Sequence, residues 1–207
     1  MFGRHDRYLD PYRQSHAQHG TGFKVTMWAD PLSQRRRFHM IARFGHLRGQ
    51  RILDAGCSRG DFAAYLIERG IDFAHYVGVD ALPQVIEFAR KRNLPRCEFH
   101  CGDVLHDPAL FTLGNPGVIC ISGTLNTMND AQVFQFLEAA WRATGRALVF
   151  NFLSGRAGPH AVPQRGAIRR FDTMRLLDWA LLRTSQVAFR QDYFKHGHDA
   201  TIMMRKP

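Results

Sequence analysis

Apolar residues in this chain follow two rhythms. From about residue 50 onward, short unbroken apolar runs alternate with stretches in which apolar positions recur every three or four residues. The runs fall at 51–55, 76–80, 99–101, 118–121 and 147–153, and each predicts a short strand. Between them, Phe62, Leu66 and Ile67 mark a helix over about 60–69, closed by Gly70. Pro83 opens a second helix with Val85, Ile86 and Ala89 facing inward. Asp130 is read as the cap of a third, in which Val133, Leu137, Ala140 and Trp141 share one face. Runs that are apolar at every position suit parallel strands buried on both faces. Strand alternating with helix predicts a doubly wound α/β sheet with right-handed crossovers. A helix over about 173–183 and a last pair of strands, 187–193 and 200–205, complete the pattern.

Ahead of these units, Asp30-Pro31 reads as a helix start, with Asp as N-cap and Pro in the first turn. Leu32, Phe38, Ile41 and Phe44 continue it to Gly45. Residues 1–26 are rich in His, Arg, Tyr and Gly and show no period, which predicts a loosely packed arm. The chain thus divides into an N-terminal arm and entry helix, 1–48, and one α/β domain, 49–207. Within that domain, 154–172 holds three glycines and two prolines and no period. So long a loop in a compact domain is often functional, and it is read as a lid over the substrate.

Composition narrows the class. At 207 residues one domain is the default, and 45% hydrophobic with 22% charged residues is ordinary for a globular chain. No apolar run approaches the roughly 18 residues of a membrane span, and the polar start lacks the apolar core of a secretory signal. Cys57, Cys97, Cys101 and Cys120 lack the second close pair of a zinc site, and reduced thiols in a cytoplasm are expected. His5, His16 and His19 have no supporting cysteine or carboxylate cluster, so no metal is expected there. The net charge of +10 and pI near 10.1 invite a nucleic-acid reading. The basic residues are scattered, however, apart from 35–37, 90–92 and the pair 169–170.

The chemistry centres on 51–61, RILDAGCSRGD. A strand, a glycine turn and a helix N-terminus can bring bare backbone N–H groups up to a ligand. The spacing is not the G-x-G-x-x-G of a dinucleotide site. It does match G-x-S-x-G, a nucleophile elbow in which Ser58 would need His196 or His198 and an upstream acid. An elbow normally follows several strands, whereas helix and arm precede this one, and no H-G-G loop is present. The stronger pattern is three successive strands that end in acids. Asp54, Asp80 (26 residues on) and Asp103 would share the carboxyl edge of the sheet, where such folds bind ligands.

The run ILDAGCSRGD resembles the first motif of the class I S-adenosylmethionine-dependent methyltransferases, L-D-x-G-C-G-x-G, with Ser58 where that family most often has glycine. Gly102-Asp103-Val104 resembles its third motif, and WADPLSQRRRF resembles an entry helix that some members fold over the cofactor. The resemblance covers about residues 50–153. It implies a single-domain, Rossmann-like sheet of seven strands, order 3-2-1-4-5-7-6, mostly parallel with the last strand antiparallel. It implies S-adenosylmethionine as cofactor and S-adenosylhomocysteine as product. Asp54 and carbonyls beside Gly56 would receive the methionine ammonium. The N–H groups of Gly56, Cys57, Ser58 and Gly60 would form the floor. Asp80, with Ala81, would hold the ribose hydroxyls, and Asp103, with Val104, the adenine. Ser122 would border both cofactor and acceptor, and Arg37 would meet the methionine carboxylate.

No catalytic residue is assigned. His196, His198, Tyr193 and His160 are candidates for a base or rim of the acceptor pocket, with Asn151 beside them, because a histidine titrates near neutrality. Polar turn residues are the plainer account of these histidines. A small-molecule acceptor is expected, with RNA as the alternative suggested by charge. A non-catalytic protein that keeps the cofactor pocket is the reading from another class.

Overall fold

The structure is a computed structural model and describes residues 4–161, 163 and 166–207. After a 3₁₀ turn, α1 (Asp10–His19) and α2 (Pro31–Gly45) precede the sheet. The alternating part runs β1 (Arg51–Ala55), α3 (Asp61–Glu68), β2 (His75–Asp80), α4 (Pro83–Lys91), β3 (Cys97–Cys101), β4 (Val118–Ile121), α5 (Asp130–Ala143) and β5 (Ala147–Leu153). It ends with α6 (Thr173–Leu181), β6 (Val187–Arg190) and β7 (Asp199–Arg205). The seven strands lie in the order β3-β2-β1-β4-β5-β7-β6, and β7 runs antiparallel to both neighbours. This is the order and direction that the resemblance implies.

Side-chain alternation along the strands builds a core on each face. Ile52, Tyr76, Val118, Cys120 and Val149 pack with Phe38, Ile41, Phe62, Leu66 and Ile86 under α2, α3 and α4. Leu53, Val77, Ile119, Leu148 and Phe150 pack with Val133, Phe136, Leu137, Leu176 and Trp179 under α5 and α6. The register pairs Asp54 with Gly78 and with Cys120, and Asp80 with Cys101. The acid-tipped ends of three strands therefore meet at one edge, beside the β1–β4 junction where the winding changes direction.

Three local expectations need correction. The N-terminal segment is not a loose arm: Tyr8, Leu9 and Val25 are buried in the α5-side core. Its apolar residues follow no period because they reach the core from a 3₁₀ turn, α1 and a second 3₁₀ turn. The cap of α5 is Asn129, not Asp130: Asn129 is extended, accepts from the Gln132 N–H and receives the Gln132 side chain in return. Finally, β6 stops at Arg190, because Gln191 turns its side chain onto Ser154 and Arg156. No helix among the described residues is long and apolar enough to cross a membrane. Nor do three or more His, Cys, Asp or Glu among them gather where they could hold a metal.

Candidate functional site

A cavity of about 1050 Å³, its mouth included, opens at the carboxyl edge of the sheet. Asp54, Asp80 and Asp103 all line it. Asp54 is 2% exposed; its Oδ2 accepts from the Tyr76 hydroxyl at 2.5 Å, while Oδ1 is buried with no partner among the described residues. Burial pushes its carboxyl up to about 7, against the Tyr76 hydrogen bond and with help from the charge of Asp80. Asp80 accepts from the N–H groups of Ser58 and Leu82 at 2.9 and 3.0 Å, yet burial still holds it above the ordinary carboxylate range. Asp103 accepts from the Tyr8 hydroxyl and the Leu105 N–H, and its other oxygen meets His106 Nδ1 at 2.7 Å.

The glycine turn works differently from the expected floor of open donors. Gly56 and Cys57 donate to the Val79 carbonyl at 2.8 and 3.0 Å, Ser58 to Asp80, and Gly60 to the Cys57 carbonyl at 3.0 Å. These N–H groups are thus committed within the protein. The turn contributes shape instead. A Cβ on Gly56, at φ 84°, would lie 2.1 Å from Thr124 Oγ1, which itself donates to the Ala55 carbonyl. Ser58 sits at φ 47°, where glycine is unstrained and other residues are not. It makes no bond to a histidine among the described residues, so the elbow reading has no Ser–His pair among them to stand on.

Arg37 also goes elsewhere. It is 4% exposed, donates from Nε and Nη2 to Asp199, and is stacked between the rings of Trp28 and Phe194, 4.3 and 4.4 Å from their centroids. The cavity is instead reached by Gln34 and Phe38, one turn apart on a neighbouring face of α2. Phe38 packs on Phe62 in the first turn of α3, with ring centroids 5.0 Å apart.

The acceptor-side candidates gather around the β6–β7 turn, away from the cavity lining. His198 Nδ1 meets Arg170 Nη2 at 2.9 Å, and burial with Arg170 and Arg37 nearby pushes its pKa down to about 4. The rings of His160 and His196 lie edge to face at 5.5 Å. Tyr193 bonds Thr201 at 2.7 Å, and burial holds its hydroxyl far above the usual range. The reason is that the turn folds onto the 154–171 loop, with the Gly158 N–H donating to the His196 carbonyl, rather than over the sheet edge. Asn151 serves the strand-four turn: it accepts from the Gly123 N–H at 2.9 Å and donates to Ser122 Oγ. The turn residue Ser122, Ala81 and Val104 do line the cavity.

Four lining residues carry no signal in the sequence pattern, Tyr8, Tyr12, Met27 and Ile168, whereas Trp28 opens the run that resembles an entry helix and Asn126 ends the turn after the fourth strand, where the acceptor is expected. Tyr12 donates to the Gly123 carbonyl, and desolvation raises its hydroxyl to about 12. Ile168 comes from the loop, fixed by the Arg169 N–H on the Asn126 carbonyl at 2.9 Å. Only the four-residue spacing of Tyr8 and Tyr12 hints at one helical face.

Residues 52–146 match the family model described as a methyltransferase domain. Over 109 residues the chain is 43% identical to magnesium-protoporphyrin O-methyltransferase of Rhodobacter capsulatus, a match covering 51% of this chain and 46% of that one. Over residues 52–146 the chain carries a methyltransferase domain. A phthiotriol/phenolphthiotriol dimycocerosates methyltransferase of Mycobacterium leprae is 39% identical to this chain over 72 residues, 34% of this chain and 26% of the other. The chain thus matches less than half the length of these curated relatives. The magnesium protoporphyrin IX methyltransferase of Synechocystis, solved with S-adenosylmethionine bound, superposes with a TM-score of 0.63 at 13% identity, over all of this chain and 87% of that one. That likeness is one of fold.

Proposed function

We propose that this methyltransferase moves a methyl group from S-adenosylmethionine to a small-molecule acceptor. The observation that carries the reading is the buried Oδ1 of Asp54, without a partner among the described residues, on a side chain that lines one cavity with Asp80 and Asp103. A buried carboxylate without a partner is costly unless a ligand supplies one. In this reading Asp54 accepts from the ammonium of the cofactor's methionine. Asp80 accepts from the two ribose hydroxyls, and Asp103 from the adenine amino group. Leu82, Val85 and Val104 give the base an apolar slot.

The bound cofactor supplies an electrophilic methyl on a sulfonium. The chain's own residues then need mainly to align the acceptor and exclude water. In this reading Tyr12, Trp28, Asn126 and Ile168 shape the acceptor side, and the 154–172 loop, of which 162, 164 and 165 lie outside the described residues, acts as its lid through Ile168. The arm belongs to the working unit, because Tyr8 and Tyr12 line the same cavity. A cytoplasmic setting goes with this reading, supported by four cysteines that are all free thiols.

The small-molecule reading is preferred to RNA because no Arg, Lys or His among the described residues lines the cavity, despite the net charge of +10. The test is transfer of labelled methyl from S-adenosylmethionine into fractionated cell extract. Label in the small-molecule fraction is expected. Label in nuclease-sensitive material would favour RNA, and cofactor binding without any transfer would favour a non-catalytic role.

A further inference from the structure

The charges of the cavity are one-sided. Four carboxylates line it, those of Asp54, Asp61, Asp80 and Asp103, and no cationic side chain among the described residues does. One of the four is paired with arginine: Asp61 meets Arg92 at 2.8 Å and lies 3.8 Å from Arg59. Asp103 is hydrogen-bonded to Tyr8, the Leu105 N–H and His106. The other two, Asp54 and Asp80, have only neutral donors: the Tyr76 hydroxyl for one, two backbone N–H groups for the other. They sit at the ends of adjacent strands, and the charge of Asp80 reaches Asp54. One oxygen of this pair, Asp54 Oδ1, is buried without a partner among the described residues. Two buried carboxyls with no cation beside them, both held above the ordinary carboxylate range by burial, are a unit that a cationic ligand would complete by favouring their ionised forms.

The two forms of the cofactor complete that unit unequally. S-adenosylmethionine carries an ammonium, a sulfonium and a carboxylate, for a net charge of +1. Its demethylated product keeps the ammonium and the carboxylate but has a neutral thioether, for a net charge of zero. In transfer the S–CH₃ bond breaks, its electron pair stays on sulfur, and the positive charge leaves with the methylated acceptor or with the proton that acceptor gives up. The sulfur joins the amino-acid part to the ribose, so under the proposed function it lies between the groups assigned to Asp54 and Asp80.

We infer that Asp54 and Asp80 make this cavity a charge-selective site, which holds the cationic sulfonium donor more tightly than its neutral thioether product, so that transfer itself loosens the spent cofactor. The inference rests on the assignment of the cavity to S-adenosylmethionine and adds which of its two forms the cavity prefers. Because the pair is buried, bulk salt screens the preference little.

Titration calorimetry on the full chain tests it, with S-adenosylmethionine, S-adenosylhomocysteine and sinefungin, which replaces the sulfonium with a protonatable amine and cannot donate a methyl. The expected result is that the thioether binds about tenfold more weakly than both cationic ligands. Asp54→Asn, which keeps the shape and the Tyr76 contact, should narrow that gap to within about twofold. Its thermal unfolding midpoint is measured in parallel to confirm a folded variant. Thioether binding as tight as the sulfonium, or a gap unchanged in both Asp54→Asn and Asp80→Asn, would overturn the inference and leave the cofactor assignment standing. Binding of none of the three would overturn both.

Discussion

Tyr8 and Asp103 are hydrogen-bonded across 95 positions of sequence, and this contact ties the N-terminal segment to the end of β3. Tyr8 also buries its ring beside Leu9 and Val25. The segment therefore forms a wall of the cavity. Tyr8→Phe should cost about 1.5–3 kcal/mol, the worth of a hydrogen bond to a charged group. Tyr8→Ala should cost about 3 kcal/mol or more by emptying a buried aromatic site. Denaturant unfolding measures both. Limited proteolysis should cut within residues 4–26 of Tyr8→Ala before it cuts the wild type.

The glycine turn predicts opposite outcomes at two neighbouring positions. Gly56→Ala would force a Cβ into Thr124 at a backbone angle that favours glycine, for a loss of about 3 kcal/mol. Ser58→Gly relieves a strained left-handed residue and should be neutral or gain up to about 1 kcal/mol. Ser58→Gly should also keep full cofactor binding and full transfer, measured with labelled donor. Loss of all activity in Ser58→Gly with binding intact would revive a nucleophilic role for Ser58.

Arg37 and Asp199 form a buried ion pair walled by Trp28 and Phe194. Removing one partner strands the other, so Asp199→Ala should destabilise by about 3–5 kcal/mol. Because the pair lies outside the cavity lining, the surviving folded protein should bind S-adenosylmethionine within about twofold of wild type. A much larger loss of affinity with little loss of stability would return Arg37 to the cofactor.

Asp54 makes both stability and binding depend on pH. Its carboxyl sits at about 7 in the folded protein against an ordinary 3.8. The folded state thus holds this proton more tightly than the unfolded state does. Stability is lost as pH rises between those two values, by about 4 kcal/mol from this group. The groups facing it are the Tyr76 hydroxyl, Asp80 and the buried thiols of Cys57 and Cys120, which burial keeps protonated. A cationic ligand reverses the preference. S-adenosylmethionine should bind about tenfold better at pH 8 than at pH 6 and release a proton from Asp54 on binding. Calorimetry in buffers of differing ionisation enthalpy reads that proton, and Asp54→Asn should abolish both effects.

The strands are legible in the sequence because a buried parallel strand must be apolar at nearly every position. The acids stand out because they break those runs at one end, as Asp54 and Asp80 do. The wall built by Tyr8, Tyr12 and Val25 is illegible because its partners lie far away in sequence and its backbone is partly 3₁₀, so no single period links its apolar positions. Arg37 misleads for a related reason. Its helix is readable, but which face meets the cavity depends on how Phe38 seats against Phe62. The histidines at 196 and 198 mislead because a hairpin turn's direction is set by contacts such as Gln191 with Ser154, which no local pattern announces.

The convergence of Asp54, Asp80 and Asp103 on one cofactor is tested most directly by equilibrium dialysis of labelled S-adenosylmethionine against the wild type and Asp80→Ala. Saturable binding of one equivalent per chain is predicted for the wild type, weakened by about a hundredfold or more in Asp80→Ala, whose lost carboxylate is assigned to both ribose hydroxyls. No saturable binding to the wild type, or equal binding to both proteins, would contradict it.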